Sequence, residues 1–197
     1  MLVSTFLGSI TDPRIGAHAI VNASNPAVGL GSGVSGAIRE ACGGLEFQRE
    51  VRERLEEEYG DELEQGDVLV TSAGIATAFR WVIHVPGVDY KHPDRETGGV
   101  SGPSRVRDCV RAALTEAIAL AREHQLAGQF VLATPLIAAG HGGLGAVASI
   151  DAMIQAVRGT MQNGDEEERQ TIARVVFAVL KEEEARLVRL AAERYRL

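Results

Sequence analysis

Apolar and polar residues follow one another along this chain in two rhythms, and the chain switches repeatedly between them. Short stretches rich in β-branched and apolar residues predict strands at Leu2–Leu7, His18–Asn22, Asp67–Thr71, Trp81–Val85, Phe130–Thr134 and Ile172–Leu180. The last is long and carries Val175, Val176, Phe177 and Val179. Elsewhere apolar residues return at spacings of three or four, which gives a helix one face to lay on a sheet. In Ser104–His124 these are Val106, Val110, Ala113, Ala117 and Ala121; in Gly145–Thr160 they are Val147, Ile150, Ile154 and Val157. Helices are also predicted over Val34–Cys42, Leu45–Tyr59 and Glu182–Arg194. Pro103 ahead of Ser104 suits a helix start, and Gly43-Gly44 divides the first two helices. Strands alternating with amphipathic helices imply an α/β protein, a three-layer α-β-α sandwich around about six strands. The alternation breaks at Val34–Tyr59, where two helices follow without a strand, so the sheet is expected to be mixed and mostly parallel. No internal repeat or break in composition divides the chain, and a single domain over residues 1–197 is expected.

Composition narrows the classes further. The chain has 197 residues, 45% hydrophobic and 24% charged, which suits a globular domain with a sizeable core. Its formal net charge is −7, with acidic residues gathered at Glu56–Glu64 and Asp165–Glu168. That balance argues against a broad nucleic-acid surface but leaves room for a small anion held by local main-chain N–H groups. Cys42 and Cys109 fall in predicted helices and form no C-x-x-C pair, so neither a zinc site nor a disulfide framework is expected. His84 lies inside an apolar strand and reads as a core residue. His18, His92 and His124 lack metal-ligand spacing, and no metal or cofactor is expected. The start of the chain, MLVSTFLGSITD, has no basic region. No segment approaches the ~18 apolar residues of a membrane span. A cytoplasmic location without membrane association is the expectation.

Two glycine-bearing loops carry the chemistry. One is AIVNASNPAVGLGSGVSGAIREA, Ala19 to Ala41; the other is VLATPLIAAGHGGLGAVASI, Val131 to Ile150. Each leads from an apolar strand through small residues into a helix, where bare N–H groups can meet an anion. Two such loops suggest a ligand with a diphosphate. Gly31 to Gly36 also matches G-x-G-x-x-G literally. A nicotinamide-binding Rossmann fold, however, needs that pattern directly after a strand, with an acidic strand end ~20 residues on. Here NASNPAVGL intervenes and the later position falls in the helix Leu45–Tyr59, so the oxidoreductase reading is the weakest. Asn22 and Asn25 each offer two donors and an acceptor, which suits ribose hydroxyls, although Asx-turns use asparagine equally well. The polar stretch Gly87–Gly102 is long for a connection. Its Tyr90, Lys91, His92 and Arg95 either close over a ligand or belong to a surface loop.

Val21-Asn22-Ala23-Ser24-Asn25 followed by Gly31-Ser32-Gly33-Val34, then GDVLVTSAG (Gly66 to Gly74), WVIHVPGV (Trp81 to Val88) and the loop Pro135 to Gly143, resembles the macro domain family. Members of that family bind ADP-ribose, and the likeness covers nearly the whole chain. The resemblance implies that the backbone of Gly31, Ser32, Gly33 and Val34 lines one side of a diphosphate. Ala138, Ala139, Gly140, His141, Gly142 and Gly143 would line the other. Asn25 matches the asparagine that holds the distal ribose and takes part in catalysis in hydrolytic members, and Asn22, counted with the ligand-binding residues, would buttress the loop. Ser9 and Ile10 fall in Gly8-Ser9-Ile10-Thr11, where members usually read G-D-I-T, the aspartate accepting a hydrogen bond from adenine. Other departures are Ser35 for the aspartate of G-V-D-G in one hydrolase branch, Leu30 for a histidine, and Gly142 for an aromatic. A serine hydroxyl cannot replace a carboxylate base at neutral pH. His141 is unusual in its loop and is either a donor or acid–base group, or an ordinary loop residue. The implied activity is ADP-ribose binding with hydrolysis of mono-ADP-ribosyl linkages, on protein or in O-acetyl-ADP-ribose, at the distal ribose. The other reading is a module that binds ADP-ribose and releases it unchanged.

Overall fold

The structure, a computed structural model, describes residues 1–94 and 97–197. Among these, six strands form one sheet: β1 (Leu2–Leu7), β2 (Ala19–Ser24), β3 (Leu69–Ser72), β4 (Trp81–Pro86), β5 (Phe130–Thr134) and β6 (Ile172–Val179). Their spatial order is β1-β6-β5-β2-β4-β3. All neighbours run parallel except β3, which is antiparallel to β4. The sheet is therefore mixed and mostly parallel, as the broken alternation predicts. Parallel strands buried on both faces carry near-continuous apolar runs, and β4 and β6 show this clearly.

Alternate residues of each strand feed opposite cores. Ala19, Val21, Ile83, Val85, Leu132, Val175 and Phe177 face α3 (Pro103–Glu123), α4 (Ala146–Asn163) and α6 (Glu182–Tyr195). Ile20, Val82, Ala133 and Val176 join the opposite cluster with α1 (Gly33–Cys42) and α2 (Leu45–Tyr59). Two layers of helices thus enclose the sheet. Both free thiols are buried, and burial foremost raises Cys42 and Cys109 to about 12, so neither is a nucleophile near neutral pH. No helix among the described residues is long and apolar enough to cross a membrane.

The structure departs from the periodicity in two instructive places. Glu166–Thr171 forms a short helix, α5, that no apolar stripe announces. It rests on its cap: the Asp165 carboxylate accepts from Glu168 N at 2.8 Å, and three glutamates occupy the positive first turn. Strand β2 runs past Asn22 to Ser24, because Ala23 and Ser24 still pair with Val85 and Pro86 of β4. That extension carries Asn25 to the sheet's edge. The five parallel strands β1, β6, β5, β2 and β4 all end at this edge, where parallel α/β sheets bind their ligands.

Candidate functional site

A cleft of about 640 Å³ opens at that edge and follows the strand order. Gly8, Ser9 and Ile10 after β1, with Ala178 and Leu180 of the β6 end, form its first part. The loops after β5 and β2 face each other across its middle. Ser24, Asn25, Gly29 and then Gly87, Val88 and Tyr90 after β4 form its far part. Among the described residues, no Asp, Glu, Lys or Arg lines it; His141 and Tyr90 are its titratable side chains. In a chain of net charge −7 this is a selective absence.

Gly31, Ser32, Gly33 and Val34 form one middle wall, at the start of α1. The N-cap Ser32 makes no side-chain capping bond, so the first N–H groups of α1 lack the usual side-chain acceptor. Gly33 needs to be glycine, since its φ is +59°. Gly31 does not: its φ is not left-handed, and an added Cβ would meet nothing within 4 Å. The preceding loop is fixed from behind. Gln48 Oε1 accepts from Leu30 N at 2.7 Å, and Leu30 itself is buried in the core. Val28, buried and β-branched, holds φ +49°, a strained conformation that the surrounding packing imposes.

Pro135 to Gly142 make the facing wall. Ser149 Oγ donates to Ile137 O at 2.7 Å and Leu144 N donates to Ala138 O at 3.1 Å, closing the loop on the start of α4. Ala138 holds φ +61°. Gly142 packs so closely on it that an added Cβ would lie 2.6 Å from Ala138 Cα, so no aromatic fits there without moving the loop. Ala138, Gly140, His141 and Gly142 line the cleft. Ala139 and Gly143 do not: their N–H groups turn inward to Leu136 O at 3.4 Å and Gly140 O at 3.0 Å. Gly140, like Gly31, has open space where a side chain would begin. His141 is exposed on the rim.

The chain matches the Macro domain family over residues 21–153. The chain belongs to the macro domain family. An uncharacterized protein of Sulfurisphaera tokodaii is 39% identical over 117 residues, covering 59% of this chain and 57% of that protein. The chain thus spans little more than half the length of that relative. A mutant form of the Oceanobacillus iheyensis macrodomain with ADPR has a TM-score of 0.74 at 22% identity, covering 96% of this chain and 91% of that one. The Trypanosoma brucei macrodomain in complex with ADP-ribose has a TM-score of 0.72 at 20% identity, covering 96% and 68%. Those similarities extend the macro fold to β1, β6 and α6, outside the matched segment. The Rossmann reading is overturned by the fold itself. Residues 25–32 separate β2 from α1, and the next strand, β3, is antiparallel.

The asparagines of this macro domain part company. Asn22 is fully buried and does not line the cleft. Its carboxamide oxygen accepts from Ser35 Oγ at 2.8 Å, and its nitrogen lies 3.0 Å from His84 Nδ1. With Asn22 donating to Nδ1, His84 carries its proton on Nε2 and donates to Thr71 Oγ1, 3.0 Å away. Burial lowers the His84 pKa to about 3, so the ring is neutral. This relay joins β3, β4 and β2 to α1 through satisfied polar groups, and it commits the Ser35 hydroxyl to structure. The Asn22 side chain thus meets Ser35 and His84 and stays off the cleft. Asn25 does line the cleft. Its Oδ1 accepts from Gly29 N at 3.0 Å, an Asx-type closure that leaves the Nδ2 hydrogens without a partner among the described residues.

At the β1 end Ser9 is exposed, its hydroxyl 2.8 Å from Thr11 Oγ1. Asp12 supplies no substitute carboxylate to the cleft. Its side chain is tied to Arg14, and that hydrogen bond foremost lowers its pKa to about 2. In the Gly87–Gly102 segment only Tyr90 of the four singled-out side chains lines the cleft among the described residues. Lys91 pairs with Glu62 and His92 with Asp89, while Arg95 lies outside the described residues. Leu180 and Ala178 were not foreseen. Their signal was topological: residues that close a central parallel strand fall at the ligand edge.

Proposed function

We propose that this macro domain binds ADP-ribose along the cleft, with the diphosphate between the Gly31–Val34 and Ala138–Gly142 walls. One observation carries the reading: small residues line both walls, the amides that open α1 on one of them have no side-chain cap, and Gly31 and Gly140 are free of any need of the fold to be glycine. The base occupies the end formed by Ile10, Ala178 and Leu180, and the distal ribose lies by Asn25. ADPR and ADP-ribose in the similar macrodomain structures support the choice of ligand. Calorimetry with ADP-ribose, beside AMP and NAD, tests it; no heat with ADP-ribose would sink it.

The finer proposal is slow hydrolysis of a mono-ADP-ribosyl linkage, on a protein or an O-acyl group, at the distal ribose. Asn25 Nδ2 and the amides of Gly31–Val34 position a water. The water oxygen bonds to the reacting carbon, the bond to the leaving group breaks, and the proton passes by way of a diphosphate oxygen to that group. Positioning alone lowers barriers by ~7 kcal/mol or more, so a strong base is not required for slow turnover. Asn25→Ala is expected to slow release of free ADP-ribose from a mono-ADP-ribosylated protein at least ~10-fold. Asn25→Asp keeps the acceptor for Gly29 N and removes the Nδ2 donor, separating loop support from chemistry. Wild-type rates in both variants would remove Asn25 from the mechanism. The second reading, a module that binds without turnover, is favoured by the absence of any carboxylate lining the described cleft. Bound substrate with no ADP-ribose released would decide for it.

A further inference from the structure

The chain has five histidines, and four of them are tied to neighbours. His18 Nδ1 accepts from Val131 N at 3.0 Å, and its ring stacks on Phe130. His84 sits between Asn22 and Thr71, His92 lies 3.2 Å from Asp89 Oδ2, and His124 packs on Trp81. The His141 ring has no hydrogen bond, ion pair or ring contact among the described residues. It is also the one histidine that lines the described cleft.

The backbone beneath that ring is held. Gly143 N donates to Gly140 O at 3.0 Å, closing a tight turn with His141 and Gly142 at its centre. Leu144 N donates to Ala138 O at 3.1 Å, and the close packing of Gly142 on Ala138 seats the turn on the loop below. His141 is thus exposed at a fixed point of the wall that faces the start of α1. Charge around it is otherwise settled. Tyr90 is the other titratable side chain of the described cleft. On the surrounding elements Asp151 of α4 accepts from Gln155 at 2.7 Å and from Tyr195 at 3.2 Å. Arg39 of α1 pairs with Glu40, and Lys181, ahead of α6, stands 4.0 Å from Glu184.

We propose that the His141 imidazole meets the diphosphate and, when protonated, supplies the one side-chain charge on the described cleft walls, so that binding tightens as pH falls. The proposal rests on the ADP-ribose reading above. Imidazole is the side chain whose charge ordinarily changes between pH 5 and 8. Neutral, it offers one N–H; protonated, it offers two and a full positive charge, and charge-assisted bonds are about twice as strong. The sign follows from linkage. A bound dianion favours the protonated ring, so the added affinity is present at acidic pH and is lost as pH rises.

The test is calorimetry with ADP-ribose at pH 5.5 and pH 8 on wild type, His141→Gln and His141→Lys, with thermal unfolding to confirm that each is folded at both. ADP-ribose is the probe because it has no terminal phosphate to gain a proton near ~6, as ADP does. Wild type is expected to bind about 5-fold more tightly at pH 5.5, the scale of one exposed charge pair at contact distance. His141→Gln should vary less than about 2-fold and match wild type at pH 8, and His141→Lys should bind tightly at both. A flat wild-type profile overturns the proposal, as does a gradient that survives in His141→Gln, while ADP-ribose binding itself stands in both cases. His141→Lys no tighter than His141→Gln at pH 8 overturns it too. If wild type binds ADP-ribose at neither pH, the ADP-ribose reading fails with it.

Discussion

Gly31→Val is expected to leave the fold intact and, on the ADP-ribose reading, to weaken ADP-ribose binding at least ~100-fold, well beyond the reach of ordinary surface substitutions. The residue has no left-handed φ to lose, and a side chain there begins in open space, so stability should move by no more than ~0.5 kcal/mol. What changes is the cleft. The added methyls occupy the side of the wall from which phosphate oxygens would approach the α1 amides. Gly140→Val should act alike from the opposite wall, for the same reasons. Gly142→Ala is the informative contrast. Its Cβ would press on Ala138 at 2.6 to 2.8 Å, so loop geometry and stability should suffer together with binding. Thermal unfolding and calorimetry on the three variants separate the cases. If Gly31→Val binds as well as wild type, the diphosphate does not run between these walls.

The second large effect is on acid stability. Unfolding by urea should require about 2 kcal/mol less at pH 5 than at pH 7, through His84 alone. Burial lowers the folded pKa of His84 to about 3, whereas the unfolded side chain titrates near ~6.5. Below ~6.5 the unfolded chain therefore binds a proton that the native state refuses. Stability is full above that value and falls by up to ~1.4 kcal/mol per pH unit until the folded pKa is reached. His18, lowered by burial and then by Arg80, adds loss of the same sign. His84→Gln cannot take up that proton. The variant should start less stable at pH 7, having disturbed the bonds to Asn22 and Thr71, but lose less by pH 5 than wild type, keeping the part that His18 contributes. An undiminished pH 7 to pH 5 difference in the variant would mean that acid sensitivity arises elsewhere.

The legible parts of the chain were those whose signal is local and apolar. Val175 to Val179 and the Val106-to-Ala121 stripe announce themselves because burial on a sheet repeats at the element's own period. Helix α5 was hidden because its stability resides in a cap; Asp165 followed by Glu168 is itself a capping pattern, outweighed by the look of a charge cluster. At the cleft, the glycine runs showed where two loops open helices, but not which amides face out. Ala139 and Gly143 turn theirs inward, a property of loop closure that residue type does not encode. Asn22 and Asn25 are equivalent by chemistry and differ in strand register: Asn22 ends up opposite His84, a partner far away in sequence. The same holds for Tyr90 against Lys91 and His92, where a buried carboxylate decides which side chain meets the cleft.

On the ADP-ribose reading, a groove without fixed charge among the described residues, set in a molecule of net charge −7, would reverse the usual dependence on ionic strength. Proteins that seize anions with arginine and lysine lose grip as salt rises. Here the pairing would be with backbone dipoles at short range, which ions screen little, while the long-range field of the surface repels a doubly negative visitor. Added electrolyte should therefore hasten capture and scarcely loosen the hold.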